Sequence, residues 1–92
     1  MKFSRIIHAV RTYHNLSTHS MARKMGFSQA YISKMEQSEA DSNPSMKFLD
    51  KFCNEFRISP NFLFNLYHSA DISDEELQEK IKLYYHYKIK TD

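Results

Sequence analysis

Apolar positions recur every third or fourth residue through most of the chain, so the pattern is helical almost throughout. Phe3, Ile6, Ile7, Val10 and Tyr13 or His14 form one stripe and predict a first amphipathic helix over residues 3–14, ending before Asn15. Met21, Ala22 and Met25 form a second stripe, and Ile32 and Met35 a third. Between these two short runs stands Gly26, the only glycine. A helix that ends and turns back commonly needs a left-handed residue, which glycine adopts without penalty. The spacing predicts a second helix from Thr18 to Met25 capped by Ser17, then a third from Gln29 to about Gln37 capped by Ser28, whose hydroxyl can accept an otherwise unpaired amide. Ala22 is small where a crossing helix presses closest.

Further along, Pro44 and Ser45 open a fourth helix, with Met46, Leu49, Phe52, Cys53 and Phe56 as its apolar stripe. Ser59 and Pro60 repeat the start signal for a fifth, in which Phe62, Leu63 and Leu66 turn inward. Phe64 and Tyr67 are then surplus to the core and available to a second subunit. After Asp71, the run Ser73-Asp74-Glu75-Glu76 is a capping box, with Leu77, Ile81, Tyr84 and Tyr85 following at helical spacing. Residues 81–90 also alternate in the manner of a strand, with Ile81, Leu83, Tyr85, Tyr87 and Ile89 on one side. The cap and the helix-forming Glu, Leu, Gln and Lys residues favour a sixth helix; the alternative is a dimer-forming strand. The chain reads as all-α.

Ninety-two residues suit one modest core and leave little room for an enzyme cleft or a separate sensor domain. The lone Cys53 excludes an intramolecular disulfide, and its spacing from Leu49 and Phe56 reads as a buried thiol in a reducing cytoplasm. No apolar run approaches the roughly 20 residues that span a membrane, and the N-terminus lacks the apolar core of a signal peptide. A soluble cytoplasmic protein is expected.

Net charge is only +2, but its distribution is uneven. Residues 1–35 hold Lys2, Arg5, Arg11, Arg23, Lys24 and Lys34 and no acid; from Glu36 to Glu79 ten acids face Lys47, Lys51 and Arg57. Such a basic end is the electrostatic footprint of a surface that meets phosphates, and a solvated basic face looks similar. Other chemistry is poorly supplied. His8, His14, His19, His68 and His86 show no metal-ligand spacing with Cys53, no glycine-rich phosphate loop exists, and Glu75 and Glu76 suit a helix dipole better than acid-base catalysis. Neither a metal, a cofactor nor an enzyme is expected.

The two short helices around Gly26 resemble the helix-turn-helix of the lambda-repressor-like family, the Cro/CI or XRE type, whose second helix enters the major groove of DNA. The resemblance runs from about Ile6 to about Leu66 and includes Arg11, Leu16, Glu36, Asn43, Pro44 and Leu49. It implies a five-helix lambda-repressor-like DNA-binding domain over residues 1–68, with residues 69–92 as a C-terminal extension that serves dimerisation. It also implies that Arg11 pairs with Glu36 as a structural link. One departure stands out: the loop from Ser38 to Pro44 is long and carries Glu39 and Asp41, which would repel a DNA backbone unless they turn outward.

With Ile32 and Met35 facing the core, geometry leaves Ser28, Gln29, Ala30, Ser33, Lys34 and Gln37 on the outer side of the third helix. The resemblance sets the start of this helix against base edges. Gln29 can then bridge N6 and N7 of adenine, Ala30 can pack on a thymine methyl, and Lys34 can donate to guanine, with Ser33 beside them. Thr18 begins the second helix, where free amides and a positive dipole end suit phosphate. Ser28, Tyr31, Arg23, Lys24 and Asn43 complete the phosphate set, although Tyr31 borders the core and exposed bases often contact nothing.

The expected function is a sequence-specific regulator that binds double-stranded DNA as a homodimer, most simply a repressor on an inverted-repeat operator. Two alternatives keep the same fold: an antitoxin or restriction controller tied to an unidentified protein partner, and a protein-interaction adaptor that has lost DNA, for which Glu39 and Asp41 speak.

Overall fold

The computed structural model describes residues 1–37 and 44–91, the last four of these without their side chains. The loop that holds Glu39, Asp41, Ser42 and Asn43, and every expectation placed on it, lies outside the described residues. Six helices follow one another: α1 (Phe3–Tyr13), α2 (Thr18–Met25), α3 (Gln29–Gln37), α4 (Met46–Phe56), α5 (Pro60–Tyr67) and α6 (Asp74–Thr91).

Serine starts five of them in the same way. The hydroxyls of Ser17, Ser28, Ser45, Ser59 and Ser73 each accept the amide three residues on, at 3.0–3.1 Å. Each satisfies one of the donors that a helix start leaves unpaired. Between α2 and α3 the chain turns at Gly26, whose φ of 74° is left-handed, and the Phe27 amide reaches back to the Ala22 carbonyl at 3.0 Å. That bond closes the end of α2 and swings α3 across it.

The core gathers on α1, where Ile6, Ile7 and Val10 are wholly buried, and α3, α5 and α6 all pack against this helix. Met21, Met25 and Ile32 enter from the helix-turn-helix side. The α4 stripe differs from expectation. Pro44 precedes the helix, Ser45 is its cap, and the buried residues are Phe48, Phe52 and Phe56, while Met46 is 71% exposed. Cys53 and Leu49 flank this stripe, half-buried. Large rings spaced by four residues outcompete methionine for the interior, and Phe3 meets Phe48 and Phe52 edge-on at 6.2 and 5.9 Å. Phe62 is only half-buried, stacked on Tyr84 at 4.0 Å, and Ile58 takes an inward position that the stripe of α5 did not announce.

Residues 81–90 are helical, so the strand alternative falls. The cap at Ser73 sets a period of 3.6, which buries Leu77, Ile81 and Tyr85 and leaves Leu83 and Tyr87 outside. Polar bonds fix the docking. Gln78 donates to the Ala9 carbonyl and the Thr12 hydroxyl at 2.9 and 2.8 Å, and the Tyr85 hydroxyl donates to the Phe56 carbonyl at 2.6 Å. Arg5 adds bonds to the Ile72 carbonyl and the Asp74 carboxylate. The extension is therefore an integral wall of the core. Among the described residues no helix is long and apolar enough to cross a membrane.

Candidate nucleic-acid interface

The turn at Gly26 brings the start of α3 beside the start of α2. Gln29 donates from Nε2 to the Thr18 hydroxyl at 3.2 Å, so these two side chains form one polar unit. The second Nε2 proton and the Oε1 of Gln29 are not engaged by this bond, and together they match the acceptor and donor on the major-groove edge of adenine. Thr18 in turn keeps its own O–H to give.

Beside this unit Ala30, Lys34 and Gln37 are exposed and Ser33 is half-exposed. Ile32 and Met35 on the opposite side are buried. Ser28 is exposed, with its hydroxyl occupied as the cap of α3. Tyr31 is half-buried: its ring stacks on Phe27 at 5.0 Å and lies 5.5 Å from Phe48, so most of its surface serves the core. Phe27 itself was not anticipated, since a single phenylalanine after a glycine carries no periodic signal.

The far end of α3 is held by a charged clamp. Arg11 Nε and Nη2 bind the two carboxylate oxygens of Glu36 at 2.8 and 3.0 Å, while Nη1 donates to the Leu16 carbonyl at 2.7 Å. A guanidinium fork suits a carboxylate in this two-point manner. The Glu36 side chain is only 6% exposed and that of Arg11 16%. His8 joins through Nδ1, 2.8 Å from Glu36 Oε1, a participant that no spacing rule would have indicated. One end of the outer helix is thus fixed by Gln29 and the other by Glu36.

The basic residues separate on inspection. Arg5 and Arg11 are engaged in the internal contacts above, whereas Arg23, Lys24 and Lys34 are exposed. Lys24 leans over the Phe56 ring, 5.8 Å from its centroid, and does not join the Thr18–Gln29 unit. Nearby, His14 sits among the rings of Tyr13, Phe56 and Tyr85, its Nε2 buried without a hydrogen-bond partner among the described residues. Burial, and then the charge of Lys24, lower its pKa from the ordinary 6.5, which keeps the imidazole neutral near pH 7. No group of three His, Cys, Asp or Glu side chains among the described residues is arranged to hold a metal ion.

Comparison with known proteins agrees with this geometry. A helix-turn-helix family model matches residues 7–63, more than half of the chain, from within α1 to the middle of α5. No curated protein and no solved structure matches the chain significantly. The matched span, the left-handed turn at Gly26 and the outward face of α3 lead to one assignment: the chain belongs to the XRE-type, lambda-repressor-like helix-turn-helix family of DNA-binding transcriptional regulators.

Proposed function

We propose that the protein is a sequence-specific regulator that binds an inverted-repeat operator as a homodimer and represses by occupying it. In this reading Gln29, Ala30, Ser33 and Lys34 meet base edges, and Thr18, Ser28, Tyr31, Arg23, Lys24 and Asn43 meet phosphates. It acts in the cytoplasm, without a cofactor and without enzymatic chemistry.

The observation that most supports this reading is the Gln29–Thr18 hydrogen bond on an exposed helix start. It orients an amide for a base and a hydroxyl for the adjoining backbone at once. Within the pair, phosphate contacts set affinity and salt dependence, and base contacts set preference. The principal extents of one copy are 34 × 27 × 23 Å, and a single α3 covers only a few base pairs. Two copies about a two-fold axis put two such helices one turn of B-DNA apart, roughly 34 Å, and so raise both affinity and specificity.

Replacing Gln29 tests the reading. Gln29→Ala should alter preference at one base pair in each half-site, at a cost of roughly 1 to 3 kcal/mol there, measured by binding to a panel of single-base operator variants. Equal weakening on every duplex would make Gln29 a backbone contact. An adaptor that had lost DNA would instead show no salt-sensitive retention of duplexes by the wild-type chain.

A further inference from the structure

We propose that His14 is an acid-sensitive latch: neutral, it holds the last turns of α6 against α1 and α4, and on taking up a proton it releases them while the helix-turn-helix stays folded. The inference does not depend on the DNA-binding reading. His14 stands at the C-terminal cap of α1 and touches rings from three elements, with centroids 5.1 Å from Tyr13, 5.2 Å from Phe56 and 4.9 Å from Tyr85. The same nest holds Tyr85. Tyr13 stacks on it at 5.0 Å, and its hydroxyl donates to the Phe56 carbonyl.

The inner ring nitrogen makes the nest sensitive to a proton. Nε2 of His14 is buried and has no hydrogen-bond partner among the described residues. A neutral imidazole can leave a lone pair there and keep its proton on Nδ1, whereas the cation carries a proton on both nitrogens. The inner proton would then be buried with nothing to receive it. The surrounding groups do not compensate. From α2 comes the positive charge of Lys24, of like sign. Tyr13 on α1 and Tyr85 on α6 are phenols, neutral near pH 7, and burial followed by the neighbouring Tyr84, Tyr13 and Cys53 pushes Tyr85 further up. From α4 come the Phe56 ring and, beside Tyr85, the Cys53 thiol, itself pushed up by burial and by Asp50. Burial and Lys24 accordingly lower the pKa of His14 from 6.5, and a cation is accommodated by leaving the nest for water.

The two halves of α6 are held differently, which decides what yields first. Its first half has anchors that do not involve His14: the Ser73 cap, the bonds from Arg5 to Ile72 and Asp74, those from Gln78 to Ala9 and Thr12, and the buried Leu77. Beyond Ile81 the inward residue is Tyr85. Tyr84 adds a stack on Phe62 and accepts the Ser59 amide, while Lys82, Leu83, His86 and Tyr87 are exposed. A helix end with few buried contacts opens at lower free energy than the core, where Met21, Met25 and Ile32 are wholly buried.

Amide hydrogen exchange of the full chain, followed by NMR from about pH 7.5 to about pH 5 and corrected for the chemical exchange rate, tests the latch alongside the titration of the His14 ring. Opening of residues 82–87 should become more frequent as pH falls below 6.5, by at most about tenfold per pH unit, and should level off where the buried His14 itself titrates. At every pH these amides should exchange faster than those of Met21, Met25 and Ile32. His14→Phe keeps a ring and takes no proton, so its opening should lose this pH dependence. Lys24→Gln should raise the His14 midpoint and shrink the total rise in opening, since the proton is then less disfavoured in the nest. A His14 midpoint at or above 6.5, the same pH dependence in His14→Phe, a rise that Lys24→Gln leaves unchanged, or α6 amides that exchange only as fast as those of α2 and α3 would each overturn the proposal.

Discussion

Glu36 carries the largest single-residue prediction. It is nearly enclosed and held by Arg11 at two points, so Glu36→Ala strands a guanidinium with little water to replace its partner. Breaking one side of a buried pair should cost about 3 kcal/mol in urea denaturation. A loss below about 1 kcal/mol would mean that the pair behaves as an exposed one. His14 makes a prediction about pH. Its pKa is lowered in the folded state, so between that value and the ordinary 6.5 the unfolded chain binds more protons, and stability rises with pH through this window. Thermal midpoints should therefore fall on acidification below about pH 6.5, and His14→Phe, which keeps a ring in the nest, should show a shallower fall. Equal slopes in the two proteins would remove His14 from the effect. His14 was legible as a candidate for the stripe of α1, but neither its nest of rings nor the link from His8 to Glu36 was, because both depend on groups far along the chain. Arg11 and Glu36 came from family resemblance, not from any local rule.

At the scale of elements, start signals were the most readable feature. Serine caps act within three residues, so sequence alone located the beginnings of α2, α3, α5 and α6. Which face of α4 turns inward was less readable, since Met46, Leu49 and Cys53 compete with Phe48, Phe52 and Phe56, and only the neighbouring rings decide between them. The ambiguity of residues 81–90 has the same source: both periods fit, and α1 selects one by receiving Ile81 and Tyr85 together. Two substitutions separate the faces of α6. Ile81→Ala should cost roughly 2 to 5 kcal/mol, whereas Leu83→Ala should change monomer stability by less than about 0.5 kcal/mol, both by chemical denaturation. The reverse order would mean that the helix is rotated. Gly26→Ala isolates backbone strain, because an added Cβ meets nothing within 4 Å while φ remains 74°. It should cost about 1 kcal/mol and no more than about 2, and a larger loss would point to a shift of α3 across the turn.

For the molecule as a whole, the division of labour follows from packing. α6 packs on α1, α1 carries α3, and α2 stands on α3 and α4, so the extension supports the reading surface from behind through α1. Cutting the chain after Ala70 would consequently remove Leu77, Ile81 and Tyr85 from the core, and single surface substitutions are the cleaner probe of association. Charge follows the same plan less fully than its count along the chain suggests, because Arg5 and Arg11 face internal partners and, of the basic residues in 1–35, Lys2, Arg23, Lys24 and Lys34 are the exposed ones. The most direct test of the claim that this surface reads DNA is selection of bound duplexes from a random pool by the full chain, followed by salt titration of the winners. The account predicts a two-fold-symmetric sequence with half-site centres about one helical turn apart, and an affinity that falls steeply with salt. A pool that is not retained at low salt, or is retained without enrichment of any sequence, would contradict it.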